Sequence, residues 1–278
     1  MSLHMKVPRD PPMSREPYRI GFLFGNGRLP LLSSWLHKLP SAKHDPTKRV
    51  SSLRSQETNS DSELEVLEDL KEEYAEMASS YDSFWSEYID KTLQKPLSLA
   101  EACNPNVLVD VGCGTGEFLK RVRVKKKKIG VEPSKEMLAK AREKLLGPGT
   151  EEGNRVVLHN SSGESLPIPD CTADCVVCTS AFHFFKDKRK ALAEMLRVLK
   201  PQGKLIITDW CLDFQIVRAY GLWELLKWGG GYPKALTCKD LQELVEEAGF
   251  QEVSVSRYTV RFWVFVIWGM QTLTATCR

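Results

Sequence analysis

No apolar stretch in the 278 residues reaches the roughly 18 residues that a membrane-spanning helix needs. The longest candidate, Phe262 to Met270, is aromatic and β-branched and reads as a strand. Net charge is also scarce. The formal value is +3, and residues 1–60 carry ten Lys and Arg against four acids, so the remainder is slightly acidic. A body of that sign gives no electrostatic case for a nucleic-acid partner. Histidine does not stand beside the closest cysteine set, Cys171, Cys175 and Cys178, and a structural zinc site needs four well-placed ligands. Cys175 and Cys178 fall in an apolar run and read as buried thiols, so no metal site is expected. A secretory signal and disulfide spacing are lacking, which favours a reducing compartment.

Residues 1–60 hold seven of the fifteen prolines and many serines, so a packed core is not expected there. Tyr18 to Leu39 adds an apolar patch. A basic, Ser-rich, acid-poor start of this kind resembles an organelle transit peptide, although a disordered tail or an alternative start at Met5 or Met13 fits as well. The folded domain is expected over 61–278. Leu64, Leu67, Leu70, Tyr74 and Met77 predict a helix over Ser62–Ser80, and Ser83 to Leu99 a second, broken by Pro96.

From Val107 the pattern alternates. Strands are expected at Val107–Val111, Ile129–Val131, Val156–His159, Ala173–Thr179 and Lys204–Thr208. Between and after them come helices at Glu117–Val124, Ser134–Leu146, Arg189–Leu199 and Thr237–Ala248. Lys125 to Lys128 are read as a solvated run ending the first of these. Gln251–Val260 and Phe262–Thr274 close the chain with no helix between them. This order predicts a doubly wound α/β fold, a seven-stranded, mostly parallel sheet with an antiparallel C-terminal hairpin.

The first βα turn is Asp110-Val-Gly-Cys-Gly-Thr-Gly116. Its bare backbone admits a ligand closely. A dinucleotide fingerprint would place the third Gly three positions after the second, where this chain has Glu117; the third Gly comes one position earlier, at Gly116. Asp110, two residues before Gly112, would repel a pyrophosphate and suits a ligand carrying an ammonium and a sulfonium. Glu132, at the end of the second strand, stands where a carboxylate accepts hydrogen bonds from ribose hydroxyls. A nicotinamide oxidoreductase is therefore disfavoured.

Val109 to Gly116 resembles the first motif of class I S-adenosylmethionine-dependent methyltransferases. Gly130-Val-Glu-Pro-Ser134 is similar to their acidic second motif, Ser161 to Pro169 to their adenine-contacting loop, and Leu199 to Asp209 to the turn and fifth strand. The likeness covers roughly residues 64–277 and is nearest to small-molecule methyltransferases of the ubiquinone and menaquinone type. It implies S-adenosylmethionine as cofactor. The implied contacts are Asp110, Gly112, Cys113, Gly114, Thr115, Gly116, Glu132, Pro133, Ser134, Ser162, Gly163, Glu164 and Ser180, with Tyr74 and Tyr81 from a gate helix. Ser162 departs from the acid often found in the adenine loop, which weakens side-chain recognition there.

Methyl transfer from a sulfonium rests on positioning and desolvation, and a general base helps only when the acceptor must lose a proton. His183, after the fourth strand, is the candidate base, and a packing role is the alternative. Asp209, Tyr220 and Trp223 are candidate acceptor contacts. The segment Phe214 to Pro233 is expected either as an aromatic lid or as a helix packed on the core. The Asn/Asp-Pro-Pro-aromatic run of nucleic-acid N-methyltransferases is missing. The expected activity is O- or C-methylation of a small, aromatic or apolar acceptor. A protein or RNA methyltransferase, or a cofactor-binding assembly protein without turnover, are the alternatives.

Overall fold

Val107–Val111 (β1) is nearly all β-branched or leucine, and its last four residues are buried. Such a run fits a strand covered on both faces. The same holds for Ala173–Thr179 (β4) and the middle of Leu199–Trp210 (β5). A computed structural model describes residues 81–147, 155–220, 235–262 and 266–278 of the chain. Residues 1–60, the helix expected over Ser62–Ser80, and residues 221–234 of the aromatic segment lie outside these.

The other strands are Lys127–Glu132 (β2), Val156–Asn160 (β3), Gln251–Phe262 (β6) and Val266–Thr276 (β7). They form one sheet in the order β3-β2-β1-β4-β5-β7-β6. β1 to β5 pair in parallel, and β7 runs antiparallel to both β5 and β6. The seven-stranded, mostly parallel sheet with its closing antiparallel hairpin is the fold expected from the sequence.

The helices are Tyr81–Phe84 (α1), Ser86–Ala102 (α2), Glu117–Arg121 (α3), Lys135–Leu146 (α4), Lys188–Val198 (α5) and Cys238–Glu247 (α6). Side chains alternate across each strand, so the core divides in two. Val109, Val176 and Ile207 join Leu192 and Met195 of α5 and Leu241 of α6 in one cluster. Leu108, Val177 and Ile206 join Ile89 of α2, Leu119 of α3 and Leu138 of α4 in the other. Each such leucine contributes about 1.5–3 kcal/mol by leaving water. No helix among the described residues is long and apolar enough to cross a membrane.

Three local expectations are corrected. Pro96 does not break its helix: α2 runs through it, and Pro96 is buried. Burial of the apolar face of α2 outweighs the lost backbone hydrogen bond. Lys128 is not a solvated helix end but a buried β2 residue, whose Nζ donates to the Leu119 carbonyl at 2.8 Å. β5 is longer than Lys204–Thr208. It starts where Ala173 pairs with Leu199 and ends where Trp210 pairs with Met270.

The strand order reverses between β1 and β4. In open α/β sheets the ligand crevice lies outside the carboxyl ends of the strands at such a point, and the candidate site is built there.

Candidate active site

The turn after β1 folds against the turn after β4. Gly112 has φ +77°, and a Cβ there would stand 2.5 Å from the Ala181 Cβ. Gly114, at φ +53°, has no atom within 4 Å of a Cβ position, so its edge is open. Gly116 precedes α3, where a Cβ would meet Leu145 of α4 at 2.8 Å. Glu132 ends β2 and ties the turn to the next helix: Gly114 N donates to its Oε2 and Ser134 N to its Oε1, each at 2.9 Å. The Ser134 hydroxyl caps α4 by accepting from Met137 N at 3.2 Å.

Behind the turn, Asp110 is fully buried, and neither carboxylate oxygen has a hydrogen-bond partner among the described residues. Burial, and then the Glu132 charge, push its carboxyl up to about 8. Burial also raises Glu132, against the two N–H groups that favour its anion. Two desolvated carboxyls without an ion pair are costly unless a positive group arrives.

A cavity of about 610 Å³ opens here. Of the expected cofactor residues, Tyr81, Gly112, Cys113, Gly114, Thr115, Glu132, Pro133, Ser134, Ser162, Gly163, Glu164 and Ser180 line it together. Asp110 and Gly116 do not reach its wall. Tyr74 lies outside the described residues. The hydroxyl of Thr115 is already engaged. It donates to Asp82 Oδ1 at 2.5 Å and accepts from Lys144 Nζ at 3.1 Å. Glu164 Oε1 accepts from Lys186 N at 2.9 Å, so this carboxylate braces the loop after β4. Gly163 leaves room for the Phe185 ring, 2.8 Å from where its Cβ would be.

The candidate base and acceptor contacts are placed differently. His183 and Asp209 do not line the cavity, although Phe184 does. The His183 Nδ1 lies 2.6 Å from Asp209 Oδ1, its backbone N–H donates to Asp209 Oδ2 at 2.8 Å, and its ring stacks on Trp210 at 4.3 Å. The Nε2 is buried without a partner among the described residues. The Asp209 carboxylate and the Trp210 indole face together hold the imidazole. Tyr220 packs edge-on against Trp210 and Trp268 and is not in the cavity wall; Trp223 lies outside the described residues.

Sequence reasoning missed Tyr88. It sits on α2, lines the cavity, accepts from Trp210 Nε1 at 2.8 Å and is 3.1 Å from the Ser180 hydroxyl. Only its place on the apolar face of α2 marked it, and that signal is shared by every core residue of the helix.

Residues 109–207 match the profile of a methyltransferase-domain family. Those residues, less than half of the chain, are similar to a methyltransferase domain. The chain's relatives include an uncharacterized methyltransferase of a Geobacillus species, 29% identical over 52% of this chain and 66% of that one. A ubiquinone/menaquinone biosynthesis C-methyltransferase of a Marinomonas species is 35% identical over 37% and 42%. The chain thus spans less than two thirds of these curated relatives. Among solved structures, a SAM-dependent methyltransferase from Thermotoga maritima, titled a possible histamine N-methyltransferase, superposes with a TM-score of 0.57. It is 22% identical, over 74% of this chain and 98% of that one, a likeness that shows the fold alone. The residues present fit the S-adenosylmethionine that the sequence resemblance implies: a bare glycine edge, a carboxylate with free lone pairs at the end of β2, and two buried acids that call for a cation.

Proposed function

We propose that this chain, through a domain covering residues 61–278, transfers a methyl group from S-adenosylmethionine to a small, flat or apolar acceptor by O- or C-methylation. One observation carries the reading. Asp110 and Glu132 are buried carboxyls with no ion pair among the described residues, set at a glycine edge that opens into a cavity. That arrangement favours a cationic nucleoside and disfavours the pyrophosphate of a nicotinamide cofactor.

When bound, S-adenosylmethionine supplies a methyl group activated by a sulfonium. The chain's own residues do the positioning. The carboxylate oxygens of Glu132 keep lone pairs for ribose hydroxyls after accepting from Gly114 and Ser134. Gly163, from the loop that the resemblance assigns to adenine, and Tyr81 line the same cavity as the glycine turn. Ile89, Leu93, Phe118, Phe184 and Phe185 make the wall apolar; that excludes water and suits a flat or apolar acceptor. The likeness to a quinone-pathway C-methyltransferase points the same way. Burial pushes the Tyr81 and Tyr88 phenols well above their ordinary value, so at neutral pH both donate hydrogen bonds and do not remove a proton.

The test is thermal shift and calorimetry with S-adenosylmethionine, S-adenosylhomocysteine, NAD and NADP. Stabilisation by the first two alone is expected; stabilisation by NAD alone overturns the reading. Turnover is read separately, with methyl-labelled cofactor, a small-molecule extract and mass spectrometry. Label found only on protein or RNA would reject the acceptor class.

A further inference from the structure

Beyond the cofactor cavity, three soft or anionic donors converge where β5 meets α6. Cys211 Sγ is 3.6 Å from Cys238 Sγ and 3.5 Å from Asp213 Oδ2, and the donor atoms of all three residues lie within 4.8 Å of one another. We propose that Cys211, Asp213 and Cys238 bind a soft divalent cation of the zinc type.

The spacing is the argument. A tetrahedral zinc ion takes thiolate sulfur at about 2.3 Å and carboxylate oxygen at about 2.0 Å. The edges of such a tetrahedron are then about 3.8 Å between two sulfurs and about 3.5 Å between sulfur and oxygen. The two measured separations match these edges within about 0.2 Å, the tolerance that a real site shows. The third pair, Cys238 Sγ and the Asp213 carboxylate, lies within 4.8 Å.

The backbone, and not the sulfurs, sets that geometry. Cys211 forms a bridge with Leu236, and Leu212 N donates to the Leu236 carbonyl at 3.0 Å. The Asp213 carboxylate is fixed by Cys238 N at 3.1 Å. Two chain stretches more than twenty residues apart are thus clamped with their donors facing each other. Cys211 is buried, while Asp213 and Cys238 are half-buried, which leaves an entry path. Cysteine binds zinc as the thiolate, so binding displaces two thiol protons and leaves two thiolates, one carboxylate and a fourth position for water.

The spacing Cys-x-Asp followed by a cysteine 25 positions later has no local signature, so only the fold discloses the set. The site stands apart from the cofactor cavity, whose wall contains none of the three residues.

The test uses the full chain, reduced and stripped of metal, with zinc as the probe in competition with a chromophoric chelator. One tightly held equivalent and two released protons are expected. Cobalt substitution should show sulfur-to-metal charge transfer with tetrahedral ligand-field bands. Cys238→Ser and Asp213→Asn should each weaken retention at least tenfold, with circular dichroism confirming that they fold. Cys103→Ser, at an exposed thiol elsewhere, should not. Equal retention by Cys238→Ser and the parent chain overturns the proposal. So does an absence of binding, or a Cys211–Cys238 disulfide that forms in place of metal uptake when reductant is withdrawn.

Discussion

Asp209 accepts three hydrogen bonds at once, and two of them come from His183. The ring Nδ1 and the backbone N–H of His183 lie 2.6 and 2.8 Å from the two carboxylate oxygens; Trp210 N supplies the third at 2.7 Å. The turn after β4 is thereby joined to the end of β5 at the carboxyl edge of the sheet.

Asp209 and His183 tie together the backbone behind Phe184, a residue of the cavity wall. Asp209→Asn leaves one buried N–H without an acceptor, and such a loss costs about 1–3 kcal/mol. The expected outcome is a lower denaturant midpoint with cofactor affinity within a few-fold of the parent. His183→Ala should behave alike and add a cavity cost of about 2 kcal/mol. Denaturant titration beside calorimetry separates stability from binding. An unchanged midpoint with abolished turnover would restore His183 as a base.

The buried acids predict a pH dependence. The Asp110 carboxyl titrates near 8 in the folded chain and near its ordinary value of about 3.9 when unfolded. Between those values the folded state binds the extra proton, so the ligand-free protein loses stability as pH rises, and the loss levels off above about 8. A cationic ligand favours the ionised carboxyl. Affinity should therefore increase with pH up to about 8, with proton release on binding below that point. Calorimetry in buffers of different ionisation enthalpy measures the release directly. Asp110→Asn should flatten both profiles and weaken binding about tenfold, or about 1.4 kcal/mol.

Gly112 and Gly114 should part company when each is changed to alanine. Both sit at positive φ, where an L side chain costs about 1–2 kcal/mol. At Gly112 the added methyl also collides with Ala181, so Gly112→Ala should lose several kcal/mol and shift the thermal midpoint strongly. At Gly114 the methyl meets nothing and enters the space kept for the ligand. Gly114→Ala should then unfold only slightly earlier but bind S-adenosylmethionine much more weakly. Matching stability losses with unchanged affinity in both variants would mean that the glycine edge is not where the ligand lies.

The alternation of strands and helices was legible because burial on both faces writes itself as short apolar runs, as in Val107–Val111 and Asp174–Thr179. The glycine turn, Glu132 and the Ser134 cap were legible because their partners lie within about twenty residues along the chain. What escaped reading depends on partners brought together by the fold. Lys128 looked like one of four solvated lysines until β2 turned it toward the Leu119 carbonyl. Pro96 looked like a break, since local propensity says nothing of the packing that carries α2 through it. The Asp209–His183 contact escaped because nothing near Asp209 in sequence announces His183, 26 residues away.

Lys144 supplies the last prediction. Its ammonium reaches Asp82 Oδ2 and Glu117 Oε1, each at 2.6 Å, and the Thr115 hydroxyl at 3.1 Å. It thus staples α1, which carries Tyr81, to the glycine turn and to α4. Asp82 and Lys144 retain some exposure, at 36% and 14% of their side chains, so the pair itself adds no more than about 1 kcal/mol to stability. Its larger effect is on order. Without the staple, Tyr81 must be positioned anew each time the ligand binds, and that cost appears in affinity. Lys144→Met, which keeps the stem and removes the charge, should change the unfolding midpoint little. It should raise the cofactor dissociation constant several-fold, mainly through faster release in stopped-flow measurements. High salt should produce the same weakening in the parent chain and little further change in the variant. Equal salt sensitivity in both would place the electrostatic contribution elsewhere and leave α1 without a role in closing the site.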